Sequence, residues 1–385
     1  MAKKRQQRKR VKRRQTSVAR ANRRTVIAIA ILLVVGFSAI IIARSGIKLP
    51  FMTGSAPVSI PQPTPTPANT LSREYIHFST RTLATEERIN ERRRSPFDFD
   101  GDATADIVVY RPNEGNWYVL KSTDSQVMLM QLGVSGDLIQ PGDYDGDGRT
   151  DLAVWNPHSS DPSQRYWKIK RSSDNALVTQ SDWGNAAFND VAVPADYDGD
   201  GRTDIAIFRP SEGNWYILQS SHPNPGDPQH SVIINWGGQG DKPVSGDYDG
   251  DGRADAAVFR PNEGNWYVKK SSDGQTIIKG WGANGDLLIP ADYDGDGKTD
   301  IAVYRPAGSI WFIIKSSSGA ATSRSWGATG DMPVPGDYDN DGRVDLAVWR
   351  PSEGNWYILK SASNTTLVRN WGAAGDIPVP SVFVR

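Results

Sequence analysis

The sequence contains no cysteine. That excludes a disulfide framework, a thiol nucleophile and a thiolate metal site. Histidine is scarce too: His77, His158, His222 and His230 are the only four, and they lie apart in the chain. They form no HExxH pair and no Ser/His/Asp pattern, so the sequence carries no convergent nucleophile, base or open metal site of the kind an enzyme needs. The expectation is a protein without catalytic residues, although some proteins of the fold class derived below are hydrolases or lyases.

The formal net charge is zero, yet the charge is segregated. Residues 1–24 carry twelve Lys/Arg and no acid, whereas residues 97–385 carry 24 basic and 40 acidic side chains, a balance of −16. Such asymmetry separates a basic tail from an acidic domain. Between them, residues 25–43 (TVIAIAILLVVGFSAIIIA) form an uncharged apolar run. As a helix, about 19 residues would span roughly 28 Å, close to a bilayer core. A removable signal peptide has a shorter apolar region and a small-residue cleavage site. An uncleaved transmembrane anchor is therefore expected, with a cleaved signal as the alternative. The positive-inside rule puts residues 1–24 in the cytoplasm and the bulk of the chain outside, as a single-pass protein of the cell membrane. The anchor argues against nucleic acid as the partner of the basic tail.

Residues 44–96 read as a stalk with a short charged segment. Residues 50–70 are rich in Pro, Thr and Ser, a composition that stays extended and cannot bury a core. Residues 82–94 (TLATEERINERRR) have helix-forming composition, and a short solvated helix is expected there.

From residue 97 the chain repeats itself. A nine-residue acidic stretch, DYDGDGRTD at 143–151, recurs with its first Asp at 98, 143, 196, 247, 292 and 337. Periods of 45 to 53 residues point to a solenoid or a propeller. Within each unit the signals are all strand and turn: a short extended strand, the acidic loop, an alternating second strand, an Arg-Pro-x-Glu-Gly-Asn turn, a Trp-Tyr third strand, and an outer strand ending in Trp-Gly. Four short antiparallel strands per unit make a β-propeller blade. The second, third and outer strands occur six times. A good inner strand precedes only the second to sixth loops, and an orphan, Ile377 to Val384, follows the last unit. Six blades are expected, with the orphan completing the first and removing the open edge. Seven is the alternative, should residues 71–97 supply strands.

The acidic loop carries the clearest chemistry. Carboxylates stand at positions 1, 3, 5 and 9, with Gly at position 6 in five of the six copies. Ca²⁺ takes six to eight oxygens, and alternate carboxylates in a tight loop can converge on one such ion. Glycine at position 6 permits the sharp turn. The pattern is similar to the Ca²⁺ loop of an EF-hand, but it sits between strands and closes at position 9. The candidate ligands are Asp98, Asp100, Asp102 and Asp106; Asp143, Asp145, Asp147 and Asp151; Asp196, Asp198, Asp200 and Asp204; Asp247, Asp249, Asp251 and Asp255; Asp292, Asp294, Asp296 and Asp300; and Asp337, Asp339, Asp341 and Asp345. Without a cation four crowded carboxylates repel one another. About six Ca²⁺ would offset most of the −16. The first copy is the weakest, because Ala103 replaces the glycine.

These units resemble FG-GAP/VCBS-type repeats, the blade unit of the integrin α-subunit propeller and of extracellular bacterial propellers. The likeness covers about residues 97–385 and rests on the acidic loop and the RPxEGNWY run. It implies a propeller whose loops bind Ca²⁺ in a mainly structural role, with Asp143, Asp145, Asp147, Asp151 and their equivalents as side-chain ligands.

Strand alternation puts the acidic loops and the third-to-outer loops on one face of the disc. Arg111, Arg209, Arg260, Arg305 and Arg350 recur on the other, with Glu114, Glu212, Glu263 and Glu353. Asp137, Asp241, Asp286, Asp331 and Asp376 end the turns there. One expectation is that these charges fasten the turns and that Trp fills the space between blades. The other is a ring of Arg, carboxylate and Trp sites for sugar or peptide. Two insertions break the symmetry: residues near Ser159, Asp161 and Arg165 in blade two, and residues near His222, Pro223 and Asp227 in blade three. Such departures on a uniform scaffold are where recognition is added. The expected function is a membrane-anchored adhesion or ligand-binding module for a carbohydrate or protein. The alternatives are a scaffold subunit of an envelope assembly, or a polysaccharide-acting enzyme or its accessory domain.

Overall fold

Six four-stranded antiparallel sheets follow one another around the domain. The computed structural model describes residues 96–380 and, as backbone only, the strands Glu74–Phe78 and Arg81–Glu86. Each blade runs from an inner strand of two residues to an outer strand of five, as in blade six: Met332–Pro333, Leu346–Arg350, Asn355–Leu359 and Thr366–Asn370. The orphan inner strand, Ile377–Pro378, pairs antiparallel with Ile107–Arg111 and completes blade one. The last residues of the domain thus close the ring, as the strand count predicts, and the first sheet is left with no free inner edge.

Burial along the strands explains their composition. The second strands read IVVYR, LAVWN, IAIFR, AAVFR, IAVYR and LAVWR, and four successive residues are buried in several of them. Sandwiched between neighbouring blades, these strands are covered on both faces, hence the continuous apolar runs rich in β-branched and aromatic residues. The third strands alternate, and the outer strands are mostly exposed. The third-strand tryptophans Trp117, Trp167, Trp215, Trp266, Trp311 and Trp356 are fully buried. Each donates its indole N–H to a carbonyl of the segment leaving its own outer strand, at 2.8 to 3.0 Å. A second set of tryptophans crosses to the next blade: Trp236, Trp281, Trp326 and Trp371 donate to the carbonyls of Tyr267, Phe312, Tyr357 and Tyr118. The expectation that Trp fills the space between blades holds in this form.

One expectation is corrected and one alternative is excluded. Residues 81–86 form a strand paired with Glu74–Phe78, not the start of a helix. The facing run, EYIHF at Glu74–Phe78, is rich in β-formers, and Thr82 and Thr85 favour extended backbone over helix. The pair is a separate two-stranded sheet, so these strands do not build a seventh blade. The predicted transmembrane segment, residues 25–43, lies outside the described residues, as do the basic tail and the Pro-rich stalk. Among the described residues no helix is long and apolar enough to cross a membrane.

Candidate metal centres and the opposite face

The acidic loops leave the inner strands and turn back into the second strands. Their first turn is fastened by the position-1 carboxylate. In the second loop Asp143 accepts from the N–H of Gly146 at 2.6 Å and of Gly148 at 2.9 Å, and Asp196, Asp247 and Asp292 repeat this. Both glycines have positive φ, 82° and 86°. The need for glycine at position 6 is legible in the sequence, and the DGDG pattern carries the same need at position 4. Blade six meets it with Asn340 at φ 58°, a residue that tolerates the left-handed region. In the first loop Ala103 sits at φ 71°, so the strain expected of that substitution is present.

Position 2 is also structural. Tyr144, Tyr197, Tyr248, Tyr293 and Tyr338 donate their hydroxyls to carbonyls four residues back, just beyond the inner strands, at 2.7 to 2.8 Å. Position 9 joins the loop to two other segments. Asp345 accepts from Tyr338 N at 2.9 Å and from Ser361 N at 2.6 Å, and its equivalents do the same. Asp106, Asp151, Asp204, Asp255, Asp300 and Asp345 are all fully buried. Burial pushes their carboxyls upward against these hydrogen bonds, to about 7 for Asp106 and Asp345 and about 6 for Asp151 and Asp204. Nearby position-3 carboxylates add to the rise.

A further set of residues escaped the sequence reading. Ser122, Ser172, Ser220, Ser271, Ser316 and Ser361, on the third-to-outer loops, donate their hydroxyls to the position-5 carboxylates at 2.7 to 2.9 Å. The next residue, Thr123, Ser173, Ser221, Ser272 or Ser317, reaches the position-3 carboxylate at 2.5 to 2.6 Å. The signal was a Ser-Ser or Ser-Thr pair recurring after every third strand except the sixth, where Ala362 follows Ser361. These contacts also establish that the two kinds of loop share a face.

Each described cluster brings carboxylate oxygens within 4.8 Å of one another. The triplets are Asp98, Asp100 and Asp106; Asp143, Asp145 and Asp151; Asp196, Asp198 and Asp204; Asp247, Asp249 and Asp251; and Asp292, Asp294 and Asp296, with one more group beside them. They can hold a metal ion. The donor set is all hard oxygen, which suits Ca²⁺ over softer metals. Oδ1 of Asp100 and Oδ1 of Asp294 are buried and lack a hydrogen-bond partner, as a ligand atom awaiting a cation would.

On the other face carboxylate and cation come already paired. Arg111, Arg209, Arg260, Arg305 and Arg350 each make a two-pronged ion pair, with Asp376, Asp190, Asp241, Asp286 and Asp331, at 2.7 to 3.0 Å. Those Asp side chains are at most 3% exposed. The guanidinium planes lie over Tyr118, Tyr216, Tyr267, Phe312 and Tyr357 at 4.4 to 5.0 Å. The hydrogen bonds to Asp hold each Arg further above its ordinary range. Asp190 was absent from the residues singled out in the sequence, because an insertion moves it away from its Trp-Gly. In blade two Asn156 replaces Arg, and the Tyr166 hydroxyl lies 3.2 Å from both oxygens of Asp137 instead. The blade-two insertion folds as a short turn, Pro162–Gln164, and returns Arg165 to pair with Asp182. Beside it the turn Ala186–Phe188 is tied back through Ala186 N to Pro157 O, and leaves Phe188 51% exposed under Arg209. On the acidic face, the blade-three insertion is braced by His222 Nδ1 against Asp227 Oδ2 at 2.9 Å.

The FG-GAP-like repeat model matches residues 143–207, 196–258, 247–303 and 292–348, which together cover more than half of the chain. No curated relative matches the sequence. Among solved structures, the chain is similar to an Agrocybe aegerita lectin that recognises non-reducing terminal N-acetylglucosamine, at 15% identity and a TM-score of 0.45, over 73% of this chain and 79% of that one. It is also similar to Staphylococcus aureus virginiamycin B lyase, at 9% identity and a TM-score of 0.41, over 72% of this chain and 88% of that one. Apo AztD from Citrobacter koseri matches at 10% identity and a TM-score of 0.39, over 70% of this chain and 95% of that one. At these identities no property of theirs is carried to this chain.

Proposed function

Because the chain belongs to the FG-GAP-like repeat family, we propose that it is a calcium-binding propeller, anchored in the cell membrane, that presents a ligand-binding or adhesion surface outside the cytoplasm. The observation that carries the calcium reading is the set of Asp clusters whose oxygens lie within 4.8 Å of one another, with the buried, unpartnered oxygens of Asp100 and Asp294 among them. Asp98, Asp143, Asp196, Asp247, Asp292 and Asp337 with their position-3, -5 and -9 companions would hold the ions. The ions then stabilise the blades and take no part in turnover; in this reading the protein is not an enzyme. Melting with and without excess chelator tests it, and a melt unchanged by the chelator overturns it.

The anchor rests on the uncharged run 25–43 and the twelve positive charges before it. Fractionation of cells, with protease added to intact and to opened membranes, tests both anchoring and orientation.

For the ligand surface we favour the face away from the acidic loops, at the junction of blades two and three. There the regular Arg–Asp turns give way to two irregular ones, and Phe188 stands exposed among polar side chains. An exposed aromatic beside hydrogen-bonding groups suits a carbohydrate ring or a peptide side chain. Glycan and peptide arrays probed with the calcium-loaded protein test this. Binding that survives Phe188→Ala unchanged places the surface elsewhere, and product release from a bound glycan makes the protein an enzyme.

A further inference from the structure

The six acidic loops touch one another. The N–H of position 8 in each loop donates to the position-1 carbonyl of the loop before it. Thr150 donates to Asp98, Thr203 to Asp143, Ala254 to Asp196 and Thr299 to Asp247, each at 2.6 Å; Val344 donates to Asp292 at 2.8 Å. The circle closes with Ala105 of the first loop, which donates to Asp337 of the sixth at 2.7 Å. These six bonds form an unbroken ring.

Side chains repeat the link at several junctions. The stem of the position-7 cation lies on the position-4 glycine of the preceding loop. A methyl on Gly101 would come within 2.9 Å of Arg149 Cδ, on Gly146 within 3.1 Å of Arg202 Cγ, on Gly199 within 2.9 Å of Arg253 Cγ, and on Gly250 within 2.8 Å of Lys298 Cε. Lys298 also donates its ammonium to the Asp249 carbonyl at 2.9 Å. At the closing junction Thr104 stands where the other loops carry Arg or Lys, and the link is the backbone bond of Ala105, whose methyl lies close to Gly336.

We propose that the six loops take up calcium as one coupled ring, each filled loop raising the affinity of its two neighbours. This rests on the calcium reading above. Position 1 supplies a candidate ligand carboxylate, and its own carbonyl receives the next loop; positions 7 to 9 of that next loop supply the donor and a further carboxylate. An ion that orders one loop therefore fixes the acceptor or donor on which each neighbour depends. The neighbour then has less backbone freedom to lose when it binds. Repulsion between ions opposes this. However, a loop with four carboxylates remains net negative after taking one divalent cation, so a filled loop does not become a cationic barrier.

The test uses the full-length chain in detergent, titrated with calcium and read by native mass spectrometry. A coupled ring gives mainly empty and six-ion species, with one- to five-ion species depleted below the binomial distribution. Loading that follows the binomial, or that enriches the intermediates, overturns the coupling while leaving calcium binding intact. No uptake at all overturns the calcium reading and the coupling with it. A variant sharpens the result. Asp249→Asn in the fourth loop should raise the half-saturation concentration of the remaining ions by about five-fold or more. Five remaining ions with an unchanged midpoint overturn the coupling. Should that variant fail to fold, the distribution for the unmodified protein decides by itself.

Discussion

The two faces of the propeller use the same carboxylate for opposite ends. On one face five buried Asp side chains are each met by a guanidinium within 3.0 Å and by an aromatic ring beneath it. On the other, carboxylates crowd together and are satisfied mainly by N–H groups and by serine and threonine hydroxyls. The first arrangement is electrostatically complete. The second has fewer cations than carboxylates, Arg149 on Asp147 and Arg253 on Asp251 among them, and burial, with neighbouring carboxylates adding to it, makes its position-9 members bind protons more tightly than free Asp. A neutral donor orients a carboxylate but does not cancel its charge. What separates the two faces here is the guanidinium that each buried Asp of the first one meets.

The largest expected effect comes from emptying the acidic face. At a free calcium concentration one hundred times the dissociation constant, each site adds about 2.7 kcal/mol to stability. Chelation should therefore lower Tm by many degrees, measured by calorimetry, while leaving the Arg–Asp face untouched. Next is Arg350→Ala, which strands Asp331 with its side chain fully buried. It should cost about 3 kcal/mol in urea denaturation, with or without calcium. Indifference to calcium is the discriminating part: a calcium-dependent loss would mean that the two faces are not separate systems.

Asp339→Asn should change sign with conditions. Burial and Asp341 hold the Asp339 carboxyl above its ordinary range. In chelator the substitution relieves repulsion and should be neutral or stabilising; with calcium it removes a ligand and should destabilise. Destabilisation of equal size in both states would sink the comparison. The smallest effect is expected of Ala103→Gly, which should stabilise the first loop by about 1 kcal/mol, because residue 103 sits at φ 71°. An unchanged urea midpoint would mean that the loop absorbs the strain.

Much of this was legible in the chain itself. The six-fold period, the four strands per unit and the orphan Ile377–Pro378 that closes blade one follow from pattern and count. So does the acidic loop, whose spacing is local: carboxylates at alternate positions converge within nine residues whatever surrounds them. The recurring Arg and Asp of the opposite face were visible too, and so was their use as turn fasteners; which carboxylate each Arg takes was not, since the partner Asp lies 19 positions earlier or, for Arg111, across the ring closure at Asp376. The role of the serine pairs is hidden for a similar reason. They look like ordinary turn residues until the sheet brings them against a loop some 20 positions earlier. The segment at residues 82–86 misled because its charged composition suits a solvated helix, whereas pairing with Glu74–Phe78 makes it a strand.

The sequence by itself determined the repeat, the blade and the chemistry of the acidic loop, because those depend on residues near one another in the chain. Only the tertiary structure decided which carboxylates receive a guanidinium, which receive a hydroxyl, and that Ala105 meets Asp337 to make six loops into one ring. The link of Ala105 to Asp337 depends on distances that ring closure sets, whereas most of the guanidinium and hydroxyl contacts form within a blade, where strand pairing brings together residues 19 to 25 positions apart.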